Sequence, residues 1–166
     1  MAKKAWHLLD FAMQQQDQTN WCWAAVAASV VRYYHEDTQW TQCRIADGEL
    51  QRADCCDDEG GGLCNVYGFL PSALYRVGCL KVWDIGKRAL LAQLCAEIDG
   101  QRPLCARVQW QGGGAHFVAI IGYLEDGDLI AVEDPFWGPS DIAYDTFCTH
   151  YTTQQGSWTD AYYTSQ

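Results

Sequence analysis

No apolar run in this sequence reaches the ~20 residues a helix needs to cross a bilayer, and basic residues are scarce. Eleven Lys and Arg stand against 21 Asp and Glu, a formal net charge of −10. Phosphate backbones and anionic membranes are both held by clustered cations, so neither nucleic acid nor membrane is expected as a partner. Lys3 and Lys4 precede a short apolar patch, but Asp10 interrupts it and no small-residue cleavage site follows. No signal peptide is expected. Cytoplasmic residence and export by a bacterial route that needs no signal peptide both stay open. Metal signatures are missing as well. Cys43, Cys55, Cys56 and Cys64 show neither CxxC nor His-x-x-x-His spacing, which argues against zinc. The acidic stretch DCCDDEGGG at 54–62 lacks the alternating ligands of a calcium loop and reads as a solvated loop. Neither a metal nor a cofactor is expected.

What is present suits one domain, 1–166. A chain of 166 residues buries about 70% of its unfolded surface and folds without needing a metal or disulfide. Eight Trp, nine Tyr and five Phe fill a globule and can line a groove. Nine cysteines are many, and the odd count is compatible with one reactive thiol and a paired remainder. The adjacent Cys55 and Cys56 are expected to bridge to different partners, with Cys43 and Cys64 nearest in sequence. Two local disulfides, or one disulfide and buried thiols, both satisfy the spacing.

Along the chain, 5–14 reads as a first strand or extended arm, and the apolar run from Trp21 to Tyr34 as a buried helix, being long and rich in alanine. Further helices are expected at 41–52, at 66–77 with Pro71 near its start, and at 88–98 before Gly100. A short strand at 79–83 precedes the last of these. Then the pattern turns to strands: 103–110, a glycine turn at 112–114, 115–124 and 129–134, with further strands through 156–158. Helices first and strands afterwards make an α+β layout.

One cysteine stands apart. Thr19 and Asn20 are candidate N-caps for the 21–34 helix, which puts Cys22 in its first turn. Unpaired N–H groups and the positive end of the helix dipole favour a negatively charged sulfur there. Six residues upstream, Gln16 carries an amide that can bind a developing oxyanion together with the Cys22 N–H. A nucleophilic cysteine also needs a base brought to it by the fold. Of His7, His35, His116 and His150, only His116 opens an apolar strand, HFVAIIGY, where a polar group is costly unless partnered. The other three read as surface or satisfied histidines. Asp134, ending IAVEDP, can fix the tautomer of such a base. A tight two-residue turn at Asp126-Gly127 would set Asp134 opposite Ala119, on the wrong face. A three-residue loop with Gly127 left-handed, or a bulge, sets it opposite Val118, diagonal to His116 at ~7–8 Å between backbones. An odd turn or a bulge is therefore expected.

The order Gln16-x5-Cys22-Trp23, His116 and Asp134-Pro135 resembles the papain-like cysteine peptidases. NWCWAA with the later QC and CC pairs is similar to the branch of bacterial avirulence-effector proteases and, more distantly, to bacteriocin-processing leader peptidases. The resemblance covers about 14–137 and implies a two-lobed fold, with the cysteine helix facing a small antiparallel sheet across a cleft. It implies Cys22 as nucleophile, His116 as general base and acid, Asp134 as its orienter and Gln16 as oxyanion donor, acting on a peptide or protein substrate. Trp21, Trp110 and Trp137 are candidate groove walls. The chain is short for a papain-type enzyme, which implies a less enclosed groove, and nothing in it specifies an activating protein partner. Two other readings use the same residues: a Cys-His amide hydrolase or acyl transferase of the cell-wall amidase or transglutaminase kind, and a catalytically silent binding module. The position of Gln16 opposes the first, and retention of all four residues opposes the second.

Overall fold

Helix α1 (Cys22–Tyr34) is the axis of the helical half of the computed structural model, which describes residues 4–57, 62–126 and 128–166. Ala24, Ala25, Val26, Ala27 and Ala28 are all fully buried. Small side chains on every face let α2 (Gln42–Leu50), α3 (Leu70–Arg76) and the sheet approach closely. Ser29, a polar break in this run, is satisfied: its hydroxyl donates to the Ala25 carbonyl at 2.7 Å and accepts from the Gln14 N–H at 2.9 Å. The N-cap is Trp21 rather than Thr19 or Asn20, and no side chain caps it. Thr19 and Asn20 instead hydrogen bond to Asn65.

The other half is an antiparallel sheet of seven strands among the described residues. They are β1 (Trp6–Leu8), β2 (Leu80–Asp84), β3 (Leu104–Gln109), β4 (Ala115–Leu124), β5 (Leu129–Glu133), β6 (Ser140–Ala143) and β7 (Ser157–Thr164). Their order is β2-β7-β3-β4-β5-β6, with β1 also pairing β4. Helix α4 (Leu91–Asp99) packs on β4, and α5 (Tyr144–Thr149) packs on β7. The α+β architecture is as expected, and two local differences have identifiable causes. The helix expected at 66–77 starts only at Leu70, because the Cys64 and Val66 carbonyls accept the indole N–H groups of Trp21 and Trp23. Gly68 lies against the Trp23 ring, where any Cβ would overlap the indole. Helix α5 interrupts a tail that reads from sequence as strands alone.

The β4–β5 hairpin settles the register question. Near its turn Tyr123 faces Ile130, the register of a tight Asp126-Gly127 turn; Gly127 itself lies outside the described residues. A bulge between Ile120 and Gly122 then shifts the pairing by one, so that Ala119 faces Glu133. Continuing that register places Asp134 opposite Val118, as the bulge alternative requires.

Cys55 and Cys56 do bridge apart, as Cys55–Cys64 and Cys43–Cys56. The remaining cysteines are not paired, contrary to the odd-count reading: Cys22, Cys79, Cys95, Cys105 and Cys148 are free. Residues 58–61 of the acidic loop lie outside the described residues. Asp54, Cys55 and Cys64 come close together, but both sulfurs are already committed to their disulfide. No described helix is long and apolar enough to cross a membrane.

The Cys55–Cys64 bridge closes a loop of separation 9, so replacing both by Ala should lower the unfolding free energy by about 2–3 kcal/mol. Urea unfolding of the oxidised proteins measures this, and the gap should close once reductant opens the same bridge in the parent.

Candidate active site

The bulge in β4 and the arrest of β5 at Pro135 bring His116 and Asp134 together. His116 Nε2 lies 2.8 Å from Asp134 Oδ1, with the His116 side chain 8% exposed and that of Asp134 fully buried. The bond at Nε2 leaves Nδ1 for Cys22, whose sulfur is close enough to affect the ring's titration. Cys22 is itself buried and free. At the first helical position its N–H has no carbonyl one turn earlier to bind.

Three effects set the proton on His116. Burial pulls its pKa down, but hydrogen bonds to Asp134 and to Cys22, with the charges behind them, outweigh burial and raise it from 6.5 to about 9. Asp134 moves the opposite way. Burial pushes it up, and the hydrogen bond to His116, the imidazolium charge and the N–H groups of Phe136 and Trp137 pull it below the usual carboxylate range. Those N–H groups reach Oδ1 at 2.7 and 3.0 Å. The other oxygen, Oδ2, accepts the Tyr151 hydroxyl at 2.8 Å.

Aromatic rings enclose the imidazole. Trp110 stacks on it at 5.8 Å between centroids and Trp137 meets it edge-on at 5.2 Å. Trp110 reaches this position because the turn after β3 closes on itself, its N–H donating to the Gly114 carbonyl at 3.0 Å. Gly113 and Gly114 sit at φ 96° and 83°, which favours glycine at both.

Cys22, His116, Gln16, Trp110 and Trp137 line one cleft of about 250 Å³, with Thr19, Asn20 and the exposed Tyr67 and Phe136 at its mouth. Trp21 is buried at 2% and hydrogen bonded to the Cys64 carbonyl, so it supports the cleft instead of walling it. Gln16 enters the cleft with its amide engaged: Nε2 donates to the Gln18 and Thr19 carbonyls, each at 2.8 Å. Its Oε1 is buried without a partner. The Gln16 backbone N–H donates to the Pro135 carbonyl at 2.9 Å, joining this loop to the Asp134 turn. Buried Gln42 holds the loop from behind, accepting from the Asp17 N–H and donating to the Gln15 carbonyl, both at 2.9 Å. His7, His35 and His150 are exposed and away from the cleft.

Gln42, Asn65 and Tyr151 support these groups without any signal in the sequence. Each acts through a contact made across 17 or more residues. Only the burial of an amide on the α2 face could have drawn attention to Gln42.

With this geometry in place, likenesses to other proteins can be compared. Residues 8–166 match the pattern of the Peptidase_C39 like family. Among solved structures, the fold is similar to the peptidase domain of Streptococcus ComA, a bi-functional ABC transporter involved in quorum sensing. The TM-score is 0.60 at 16% identity, covering 94% of this chain and 99% of that one. A double glycine motif protease from an AMS/PCAT transporter, in complex with its leader peptide, gives 0.53 at 18%, covering 95% and 94%. The Pseudomonas avirulence protein AvrPphB gives 0.46 at 14%, covering 95% and 98%. No curated protein matches the sequence at a significant level.

The two titrations make a stability prediction of definite sign. His116 has its folded pKa raised, so its contribution is complete below about 6.5 and is lost as pH rises through about 9. Asp134, with its folded pKa lowered, contributes above the ordinary value of 3.8 and loses that contribution as pH falls through its depressed value. Urea midpoints should therefore decline between pH 6.5 and 9, and Asp134→Asn should flatten that decline.

Proposed function

The chain belongs to the Peptidase_C39 like family and is a papain-like cysteine peptidase, and on that premise we propose that Cys22, His116, Asp134 and Gln16 carry out its chemistry. One observation carries the reading: a buried imidazole is bound to an aspartate through one nitrogen and shares its cleft with a helix-start thiol close enough to raise its pKa. The ion pair of a Cys22 thiolate and an imidazolium is the resting nucleophile. The sulfur attacks the carbonyl carbon of a peptide bond, and the carbonyl oxygen becomes an oxyanion beside the Cys22 N–H. Gln16 becomes the second donor once one of its amide hydrogens leaves the Gln18 or Thr19 carbonyl. Imidazolium gives its proton to the departing amine as the C–N bond breaks, leaving a thioester on Cys22. Water adds to the thioester, its proton passes to His116, and the acid is released with the sulfur restored. Asp134 keeps the ring oriented and its charge compensated throughout.

The substrate is an extended peptide segment laid between Tyr67 and Trp137, in line with the leader peptide bound to the double glycine motif protease. None of the described lining residues is Asp, Glu, Lys or Arg, so the residues flanking the scissile bond are expected to be uncharged.

Screening a peptide library should show cleavage that Cys22→Ala abolishes without changing the unfolding midpoint by more than a few degrees. Gln16→Ala should retain the fold and lose about 10²–10³ in turnover. A folded Cys22→Ala protein that still cleaves would overturn the assignment.

A further inference from the structure

Tyr151 lies outside the segment that carries the sequence resemblance, yet it occupies the one face of Asp134 that the backbone leaves open. The carboxylate is almost fully buried, and its oxygens are unequally supplied. Oδ1 accepts from the imidazole and from two backbone N–H groups, whereas Oδ2 accepts from the Tyr151 hydroxyl. Tyr151 is 3% exposed and held on several sides. Its backbone forms an isolated bridge with Gly156, closed by hydrogen bonds of 2.9 and 2.8 Å. Its ring lies parallel to Trp110 at 6.4 Å and meets Phe147 edge-on at 5.0 Å. Gly156 lacks a Cβ where one would strike Val108 and Trp110, which lets the bridge sit this close. A side chain so fixed delivers its proton to one atom only.

We propose that Tyr151 is a positioning residue of the Cys22–His116–Asp134 site, whose hydroxyl clamps Asp134 Oδ2 and draws off part of the carboxylate's charge, so limiting its pull on the imidazolium. The proposal rests on the triad reading. The physical ground is that a carboxylate oxygen bound by a neutral donor attracts its cationic partner less strongly. A base that must also return its proton works best when its pKa is not driven far above the operating pH. Asp134 raises the proton's affinity for the imidazole and Tyr151 moderates it from the opposite side of the carboxylate. The titratable groups facing the pair are His116 from β4, Tyr151 from the segment after α5, and Cys22 from α1, which faces the imidazole. Glu133, the neighbouring carboxyl on β5, borders the hollow behind Asp134 and is itself pushed up by burial. Ser140 on β6 lies close enough to the Tyr151 hydroxyl to act on its titration.

The test needs no substrate. Iodoacetate carries a negative charge and alkylates a thiolate fastest beside an imidazolium, so its rate at Cys22 should fall as His116 loses its proton near pH 9. Mass spectrometry of the Cys22 peptide separates this thiol from the other free cysteines. Tyr151→Phe keeps the ring and removes the donor, and should move the falling limb up by roughly half a pH unit or more. Replacing Tyr151 by 3,5-difluorotyrosine makes the hydroxyl a stronger donor without changing the packing, and should move the limb down. This second variant decides the matter if Tyr151→Phe does not fold. In Asp134→Asn neither change should have a further effect. A limb that stays in place in both Tyr151 variants, or that moves down in Tyr151→Phe, overturns the proposal. His116→Ala separates the two levels. If it removes the limb and the Tyr151 variants do not move it, only the role of Tyr151 fails. If it leaves the parent profile intact, the triad reading fails and takes this proposal with it.

Discussion

The buried contact between His116 and Asp134 is the constraint around which the two halves of the molecule are arranged. A carboxylate with almost no exposure is tolerated only because both of its oxygens find donors, and an imidazolium only because a carboxylate compensates it. Removing either partner would leave an uncompensated buried charge. The sheet is therefore built to put these side chains in register, with a bulge in the longest strand and a proline where the next strand stops. The indoles of Trp110 and Trp137 keep water from the ring and so strengthen each electrostatic contact it makes.

The helical half contributes the sulfur and the loop that precedes it. An alanine-rich helix can be buried on all sides, and this places its first turn at the sheet instead of at the surface. The loop before it has little secondary structure of its own. It is fixed by Gln42 from one side, by Asn65 from another and by the Pro135 carbonyl from the sheet. Its last tie links the Gln16 loop to the turn that carries Asp134, so the two halves are joined at the cleft as well as through the core.

Much of this was legible in the residues because local chemistry and global placement agreed. Alanine run, glycine turn and apolar strand gave the elements, and a lone histidine at the head of HFVAIIGY marked the candidate base. The hairpin also yielded to counting, since either an odd turn or an extra residue in one strand was needed to put Asp134 on the same face as His116, and β4 supplies the extra residue. What stayed hidden was long-range hydrogen bonding. Thr19 and Asn20 have the composition of caps, but Asn65 competes for them from 45 residues away and wins. Tyr151 sits among threonines and a histidine in a tail without clear periodicity, so nothing local distinguishes it from a surface tyrosine. Gln16 was placed at the cleft by spacing, while the carbonyls that engage its amide depend on a loop shape that spacing does not encode.

The pairing of adjacent cysteines has a topological consequence. Cys43–Cys56 and Cys55–Cys64 close two rings that share the 55–56 peptide unit, so 43–64 is a fused bicycle and not two separate staples. A single nick anywhere in 44–54 or 57–63 leaves both fragments covalently attached. Separation there requires thiol exchange at a sulfur as well as a cut in the chain. For an enzyme whose own chemistry is peptide cleavage, the stretch next to its cleft mouth is thereby insured against being shed by one scission.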